Sequence, residues 1–199
     1  YQLCAPGLRD HFPHLRAQPV NRLPSIRSSF VGRDGEIAAI QSLLAESKLV
    51  TLTGVGGCGK TRLAIKIGSA LSQRFSDGVC FVDLASVGDA DLVVPAVAGA
   101  CGLMLGAASW ADTASTTDAV VAAISRHSCL IILDNCEHLV EPVADFVDRI
   151  LASCHRVSLL ATSREALGVD GERIVQVQPL PTADSVQPAC NDAFRLFTE

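Results

Sequence analysis

Short apolar segments alternate along the chain with segments whose apolar residues recur every three or four positions. The first pattern is typical of strands that a sheet buries on both faces, and the second is typical of amphipathic helices. The apolar segments predict strands at residues 49–53, 79–84, 129–133, 157–161 and 173–177. The helical spacing predicts helices near residues 34–44, 60–75, 91–100, 117–126 and 139–150. Because strands that alternate with helices form right-handed crossovers, we expect a three-layer α/β fold with a mostly parallel five-stranded sheet.

Three segments depart from this alternation. Prolines interrupt any helical period in residues 1–29, which we interpret as a linker from an upstream domain. Residues 104–115 are rich in Gly, Ala and Ser and predict a surface loop. Residues 191–199 predict a helix, and we interpret residues 183–199 as the truncated start of a following helical subdomain. The domain that carries the alternating strands and helices is therefore expected at residues 30–182.

The composition restricts the classes of protein to which the chain can belong. Of 199 residues, 49% are hydrophobic and 19% are charged, and the formal net charge is -5. This balance gives no basic surface of the kind that binds nucleic acid or anionic lipid. No apolar run approaches the roughly 20 residues that a membrane-spanning helix needs. We expect a cytoplasmic protein in which these residues contact neither a membrane nor nucleic acid directly.

A glycine-rich turn follows the first predicted strand. Its sequence GVGGCGKT, at residues 54–61, fits the pattern GxxxxGK[ST] and lies between a strand and a helix, the context of a phosphate-binding loop. Glycines let backbone N–H groups turn toward a polyphosphate, and the helix N-terminus adds partial positive charge. In this interpretation Lys60 reaches the β- and γ-phosphates, and the Thr61 hydroxyl is a ligand of Mg²⁺. The alternative is a glycine-rich turn with an exposed lysine.

The nucleotide-binding residues expected in and beside this turn are Gly54, Gly56, Gly57, Cys58, Gly59, Lys60, Thr61 and Arg62. A second candidate is Asp134, the carboxylate that follows the strongly apolar strand at residues 129–133. In an open parallel sheet, ligands collect beyond the carboxyl ends of the strands, where Asp134 and the glycine-rich turn both emerge. Asp134 is therefore expected to approach the Mg²⁺ that Thr61 holds, directly or through water. An Asp after an apolar strand is also a common helix N-cap, and its pairing with the turn favours the metal role.

Hydrolysis of a bound triphosphate requires a water molecule held in line with the γ-phosphate. Glu137 is the nearby carboxylate able to act as a general base, but it is equally well interpreted as a first-turn acid favoured by the helix dipole. Asn135 can orient a water but is a poor base, which predicts slow turnover. Arg164 follows the fourth predicted strand and is expected to read the γ-phosphate. The alternative for Arg164 is a solvated arginine. The residues with expected catalytic roles are Lys60, Asp134, Glu137 and Arg164.

Taken together, these motifs resemble the STAND class of signal-transduction P-loop ATPases. The resemblance rests on FVGRD at residues 30–34, the turn at 54–61, LDNCEH at 133–138, ATSREAL at 161–167 and GE at 171–172. It is closest to the NB-ARC-like domains of large actinobacterial LuxR-type or SARP-type transcriptional regulators. Some of these regulators carry a cyclase-like domain in front of the ATPase domain.

The resemblance implies a P-loop NTPase fold and several residue roles. Val31, Gly32 and Arg33 would lie near the adenine and ribose of ATP or ADP, and the motif at Asp134 would be the Walker B motif. Arg164 would be the sensor, and its strand would lie between the P-loop strand and the Asp134 strand. Relatives often carry a second acid after the Walker B aspartate, where this chain has Asn135, and this difference again predicts slow hydrolysis.

The function expected from these motifs is an ATP/ADP-binding regulatory switch with slow Mg²⁺-dependent ATP hydrolysis, within a multidomain signalling or transcriptional regulator. Its expected partners are the adenine nucleotide, the flanking domains of the same polypeptide and, in the longer protein, further copies in a nucleotide-dependent homo-oligomer. The alternative is a small-molecule phosphotransferase built on the same loop. Residues 30–34 have no role in that scheme, and steady turnover with a small acceptor would favour it.

Overall fold

A computed structural model describes residues 22–25, 32–103 and 112–179. The strands are β1 (Leu49–Thr53), β2 (Val79–Asp83), β3 (Cys129–Asp134), β4 (Val157–Ser163) and β5 (Arg173–Gln176). The helices are α1 (Asp34–Glu46), α2 (Lys60–Leu71), α3 (Val93–Cys101), α4 (Thr113–Ile124) and α5 (Val140–Ser153). The predicted helix at 191–199 and the linker residues 1–21 lie outside the described residues.

The strands form one parallel sheet in the order β2-β3-β4-β1-β5. The expected α/β fold with a parallel five-stranded sheet is confirmed, and β4 lies between β1 and β3, as the resemblance implied. Thr53 is opposite Ser163, and Asp83 is opposite Asp134. The carboxyl ends of β1, β2, β3 and β4 therefore meet along one edge of the sheet, which is where parallel sheets bind ligands.

Helices cover both faces of the sheet. Helices α1 and α2 share one core with the sheet, whose fully buried members include Ile40, Val50, Leu52, Leu63, Ile67 and Ile132. Helices α3, α4 and α5 share the other core, whose fully buried members include Val97, Val120, Ile131, Val143, Val147 and Ile150. All six residues of β3 are buried. This double cover is the reason that the central strands are continuously apolar.

The predicted surface loop at residues 104–115 is wrong at its end, because α4 already begins at Thr113. The helix is capped by Asp112, whose carboxylate accepts a hydrogen bond of 2.7 Å from the Ser115 N–H. The hydroxyls of Thr116 and Thr117 donate to backbone carbonyls four residues earlier. These polar residues hid the first turn from the apolar pattern. Residues 104–111 lie outside the described part of the chain.

Arg22 contacts β2, the outermost strand of the sheet among the described residues. Its backbone N–H donates to the Val79 carbonyl over 2.9 Å, and its guanidinium donates to the carbonyls of Gly99 and Ala100 at the end of α3. The segment before α1 is thus held to the domain at this residue. Within the described ranges, no helix combines the length and the hydropathy that a membrane crossing requires.

Two helical glycines lie in opposite environments and give a prediction on stability. A Cβ at Gly68 of α2 would lie 2.7 Å from Cδ1 of the fully buried Ile132, whereas a Cβ at Gly99 of α3 would meet no atom within 4 Å. Gly68→Ala is therefore expected to lower the free energy of unfolding by about 1–2 kcal/mol through overpacking. Gly99→Ala is the matched control and should raise it by about 0.5–1 kcal/mol, because alanine favours a helix. Urea unfolding measures both, and a gain in stability for Gly68→Ala would contradict the packing of α2 on β3.

Candidate functional site

The glycine-rich turn connects β1 to α2 at the carboxyl edge of the sheet. Gly54, Gly57 and Gly59 have φ angles of 152°, 76° and 95°, which residues other than glycine rarely adopt. At Gly54 the space is also closed, because a Cβ there would lie 2.6 Å from the Val177 carbonyl oxygen. The backbone path of the turn therefore depends on its glycines, as the sequence pattern predicted.

Lys60 begins α2 and folds back over the turn. Its ammonium Nζ donates to the carbonyl oxygens of Gly54 and Val55 over 2.8 and 3.0 Å, and the residue is only 8% exposed. Both acceptors are neutral. Among the described residues, no carboxylate forms an ion pair with this ammonium. The positive charge of Lys60 is therefore available to an anion that enters the turn.

Asp134 lies at the centre of a hydrogen-bonded group at the end of β3. Its carboxylate accepts hydrogen bonds from the hydroxyl of Thr162 at 2.6 Å and from the hydroxyl of Thr61 at 2.9 Å. The side-chain amide of Asn135 donates to its second oxygen over 3.0 Å. The structure thus brings Thr61 and Asp134 into direct contact, although 73 positions separate them in the chain.

The electrostatics of this group depend on burial. Asp134 is 2% exposed, and burial raises the pKa of its carboxyl above the ordinary value, while the hydrogen bonds from Thr162 and Thr61 act in the opposite direction. The negative charges of Asp83 and Glu137 raise this pKa further. A divalent cation beside the Asp134 carboxylate would offset both the burial and the neighbouring charges.

The donors at this edge fit magnesium better than a metal held by protein ligands alone. No cluster of three His, Cys, Asp or Glu side chains able to hold a metal exists in the parts of the chain that the structure describes. Mg²⁺ is commonly bound by one or two protein oxygens together with substrate phosphates and water. The Thr61 hydroxyl and the Asp134 carboxylate are oxygen donors of this kind, and they already lie 2.9 Å apart.

Arg164 and Glu137 form an ion pair beside the turn. The Nε of Arg164 lies 3.1 Å from Oε1 of Glu137, and the two side chains are 68% and 22% exposed. The second oxygen of Glu137, Oε2, is buried and has no hydrogen-bond partner among the described residues. A Cβ at Gly56 would lie 3.8 Å from Nη2 of Arg164. Arg164 therefore bridges the space between the glycine-rich turn and Glu137.

Open depressions flank Arg164 on both sides. One, of about 400 Å³, is lined by the turn and by Gln176, and the other, of about 500 Å³, is lined by Asn135, Glu137 and His138. A group bound at either place would contact the Arg164 guanidinium. The position of this arginine fits the predicted contact with a terminal phosphate, and that role stays a prediction.

The remaining predicted nucleotide-binding residues lie apart from these depressions. The guanidinium of Arg33 donates to the Cys58 carbonyl at 3.0 Å and to the Gln178 carbonyl at 2.7 Å, and it pairs with Glu36 at 2.9 Å. Gly32 precedes it with a φ of 73°. Arg62 lies in the first turn of α2 and is partly exposed. Val31 lies outside the described residues. The predicted contacts of these residues with base and ribose stay predictions.

Sequence reasoning missed one residue that shapes the site, Asp83, and it noted Thr162 only as a hydroxyl at the edge of the sheet, without its partners. The Thr162 hydroxyl both donates to Asp134 and accepts from the backbone N–H of Asn135 at 3.0 Å, and so it orients the carboxylate. Asp83 ends β2 beside Asp134, and the same signal that identified Asp134, a carboxylate at the end of an apolar strand, could have found it. Glu172 was noted only as part of a motif. Its carboxylate accepts hydrogen bonds from two backbone N–H groups, at residues 167 and 168, and shapes the loop that follows Arg164.

A family model described as an AAA domain matches residues 44–168, which is more than half of the chain. The chain therefore belongs to the AAA domain family of P-loop ATPases. The matched residues include the glycine-rich turn, Asp134 and Arg164.

Relatives of known sequence include regulators. An uncharacterized protein of Mycobacterium tuberculosis is 37% identical over 202 residues, which cover 100% of this chain and 48% of that protein. A second protein of the same organism, which is named as an HTH-type transcriptional regulator, is 42% identical over 145 residues. These residues cover 73% of this chain and 16% of that protein. The regulatory protein AfsR of Streptomyces griseus is 26% identical over 175 residues, covering 83% and 18%. The chain thus spans about half the length of the first relative and less than a fifth of the other two.

Solved structures share the fold. A STAND protein with a tetratricopeptide repeat sensor from Pyrococcus horikoshii has a TM-score of 0.61 at 16% identity, covering 89% of this chain and 28% of that chain. Cdc6p of Pyrobaculum aerophilum has a TM-score of 0.60 at 13% identity, covering 80% and 48%. At such identities the likeness establishes the P-loop NTPase fold alone.

Proposed function

We propose that this chain is an ATP/ADP-dependent switch domain of the STAND class, NB-ARC-like, within a longer transcriptional or signalling regulator of the LuxR or SARP type. The observation that carries the proposal is the direct contact between Thr61 and Asp134, at the start of the helix whose first residue, Lys60, holds its ammonium over the turn. Regulators among the relatives support the setting. In this proposal the domain acts in the cytoplasm and is coupled to flanking domains, one of them cyclase-like, and to further copies of the protein.

The residues of the site fit a magnesium nucleotide. The turn offers backbone N–H groups, Lys60 offers an ammonium without an anionic partner in the described ranges, and Thr61 with Asp134 offers oxygen ligands. Mg²⁺, when bound, neutralises charge on the phosphates. The hydrogen bond from the Thr162 hydroxyl orients the Asp134 carboxylate toward the place where the cation would bind. The Asn135 N–H in turn donates to the Thr162 hydroxyl and fixes its position.

The same contacts support slow rather than rapid hydrolysis. Glu137 is the candidate general base, and its Oε1 accepts a hydrogen bond from Nε of Arg164 at 3.1 Å. Asn135, in the position of a second acid, carries no carboxylate and donates its amide to Asp134. Glu137 could therefore serve as a base only after its ion pair with Arg164 opens, and this added step slows hydrolysis. Slow turnover suits a switch, because the bound state persists.

A switch also needs a residue that binds one nucleotide state more tightly than the other, because a ligand with equal affinity for both conformations shifts nothing. We assign this role to Arg164, which lies within reach of the turn and is largely exposed. A γ-phosphate would compete with Glu137 for its guanidinium. ADP offers no such competitor, so the ion pair would remain closed with ADP.

Arg164→Ala is expected to lower the affinity for ATP about tenfold while leaving that for ADP within about twofold, since one charge-assisted hydrogen bond is lost. The free energy of unfolding should change by less than about 1 kcal/mol, because the Arg164 side chain is 68% exposed. Arg156→Ala is the matched control, because Arg156 is an exposed arginine that directly precedes the same strand. Equal losses for ATP and ADP, measured by calorimetry, would contradict the sensor role.

The proposal as a whole is tested by titrating the protein with ADP, ATP and GDP in Mg²⁺ and again in EDTA. We expect binding of adenine nucleotides that weakens at least tenfold when Mg²⁺ is removed. Absence of Mg²⁺-dependent affinity would contradict the proposal. Steady phosphate transfer to a small acceptor would instead favour the phosphotransferase alternative.

A further inference from the structure

Arg33 is a buried arginine in a strained backbone conformation. Its side chain is 7% exposed, and its φ of 67° lies in the left-handed region, just before α1. This region costs a residue other than glycine about 1 kcal/mol or more, and such strain persists only where surrounding contacts enforce it. The contacts of the Arg33 guanidinium therefore identify what the strain maintains.

One nitrogen of Arg33 joins two distant segments. Nη2 donates to the carbonyl of Cys58, inside the glycine-rich turn, and to the carbonyl of Gln178, after β5, over 3.0 and 2.7 Å. A second link connects the same segments, because the Val177 N–H donates to the Thr53 carbonyl at 2.7 Å. The turn is thus fastened along one side to residues 177–178.

The bond to Cys58 also orients the turn. In a trans peptide the C=O and the following N–H point in opposite directions. Because the Cys58 carbonyl is held toward Arg33, the N–H of Gly59 points away from Arg33. The Gly59 N–H is one of the backbone donors at the start of α2 that would bind a phosphate. Arg33 therefore acts on the phosphate cradle without any need to touch a ligand.

We propose that Arg33 is a positioning residue that fixes the phosphate loop and links it to residues 177–178, which follow β5. In this proposal Arg33 does not contact the base or the ribose. The proposal rests on the proposed function only in that the turn binds phosphate. Occupancy of the turn changes the position of the Cys58 carbonyl, and the shared nitrogen passes that change to Gln178. The link thereby couples the nucleotide site to the chain that follows β5.

The test compares two magnesium-bound probes, ADP and inorganic pyrophosphate, because pyrophosphate has no base or ribose. Arg33→Ala is expected to lower the affinity for both about tenfold and to leave the ratio of the two affinities within twofold of wild type. The affinities of Arg33→Lys should lie between those of wild type and Arg33→Ala, because a lysine ammonium can replace only some of the hydrogen bonds that the guanidinium donates. Glu36→Gln removes the charge of the ion-pair partner, whose side chain is 44% exposed, and leaves both carbonyl bonds of Nη2 in place. As the matched control, it should change either affinity less than twofold.

A loss for ADP with unchanged pyrophosphate affinity would overturn the proposal, because Arg33 would then read base or ribose. Unchanged affinities for both probes would overturn it as well. If wild type binds neither probe, the proposed function itself fails, and this inference fails with it. If the wild-type protein binds both probes and Arg33→Ala binds them equally well, the inference about Arg33 fails and the proposed function stands.

Hydrogen exchange tests the link first on the wild-type protein and does not depend on the Arg33→Ala variant. Pyrophosphate alone is expected to slow exchange of the Val177 amide at least threefold, and Arg33→Lys should reduce that effect while Glu36→Gln retains it. Exchange at Val177 that does not respond to pyrophosphate bound by the wild-type protein would overturn the coupling.

Discussion

Lys60→Ala is expected to lower the affinity for ATP and ADP about a hundredfold. Lys60 is 8% exposed. Its ammonium donates to two neutral carbonyls of the turn and has no anionic partner within the described ranges. Charge-assisted hydrogen bonds to phosphate contribute about 1.5–3 kcal/mol each, and Lys60 is expected to make more than one. Alanine removes these bonds and leaves the phosphate charge uncompensated in a partly dry site.

Calorimetric titration with Mg²⁺ and ADP measures this loss. Lys66→Ala is the matched control, because Lys66 lies on the exposed side of the same helix and should change the affinity less than twofold. Similar affinities for the Lys60 variant and wild type would show that the ammonium does not face the ligand. Equal losses for both lysines would indicate long-range charge rather than a contact.

Asp134→Asn is expected to abolish the benefit of Mg²⁺ for nucleotide binding and, at the same time, to stabilise the protein free of nucleotide and metal. The neutral amide keeps the shape of the carboxylate but cannot offset a divalent cation. The gain in stability arises because burial, with Asp83 and Glu137 nearby, raises the pKa of Asp134 and disfavours its charged form.

The sign of the pH dependence follows from that direction. A carboxyl whose pKa is raised by folding contributes stability that is fully present below its unfolded pKa of about 3.9 and is lost as the pH rises through the folded value. The difference in melting temperature between Asp134→Asn and wild type, measured in EDTA, should therefore be positive at pH 7 and shrink toward pH 3. At Asp112, hydrogen bonds from Ser115 lower the pKa, so Asp112→Asn should give no such gain. A Asp134→Asn variant that melts below wild type at pH 7 would contradict the account.

The fold was largely predictable because the sheet is buried on both faces. The strand at residues 49–53 was predicted with the bounds that it has, and the start of each of the other four strands was predicted correctly. The start of α4 was missed because its first turns are rich in Thr and Ser, and the hydroxyls of Thr116 and Thr117 bond to the backbone and supply no apolar period. Local hydrogen bonding of this kind is invisible to a hydrophobic pattern.

The site was predictable only as far as strand ends determine it. That Thr61 and Asp134 would meet followed from the shared carboxyl edge of parallel strands. The partners of Arg33 did not, because Cys58 and Gln178 lie 25 and 145 positions away and their carbonyls carry no signal in the sequence. Contacts to backbone atoms depend on the packing of the whole domain, and a motif cannot reveal them.

The most direct measurement is a crystal structure of the protein with Mg²⁺ and ADP. The account predicts the β-phosphate within the turn at residues 54–61, beside Lys60, with the cation between that phosphate and the oxygens of Thr61 and Asp134. The domain offers a larger alternative, a cavity of about 650 Å³ between α3, α4 and α5 that is lined by residues such as Val94, Thr117 and Phe146. Nucleotide bound there, with the turn empty, would contradict the account.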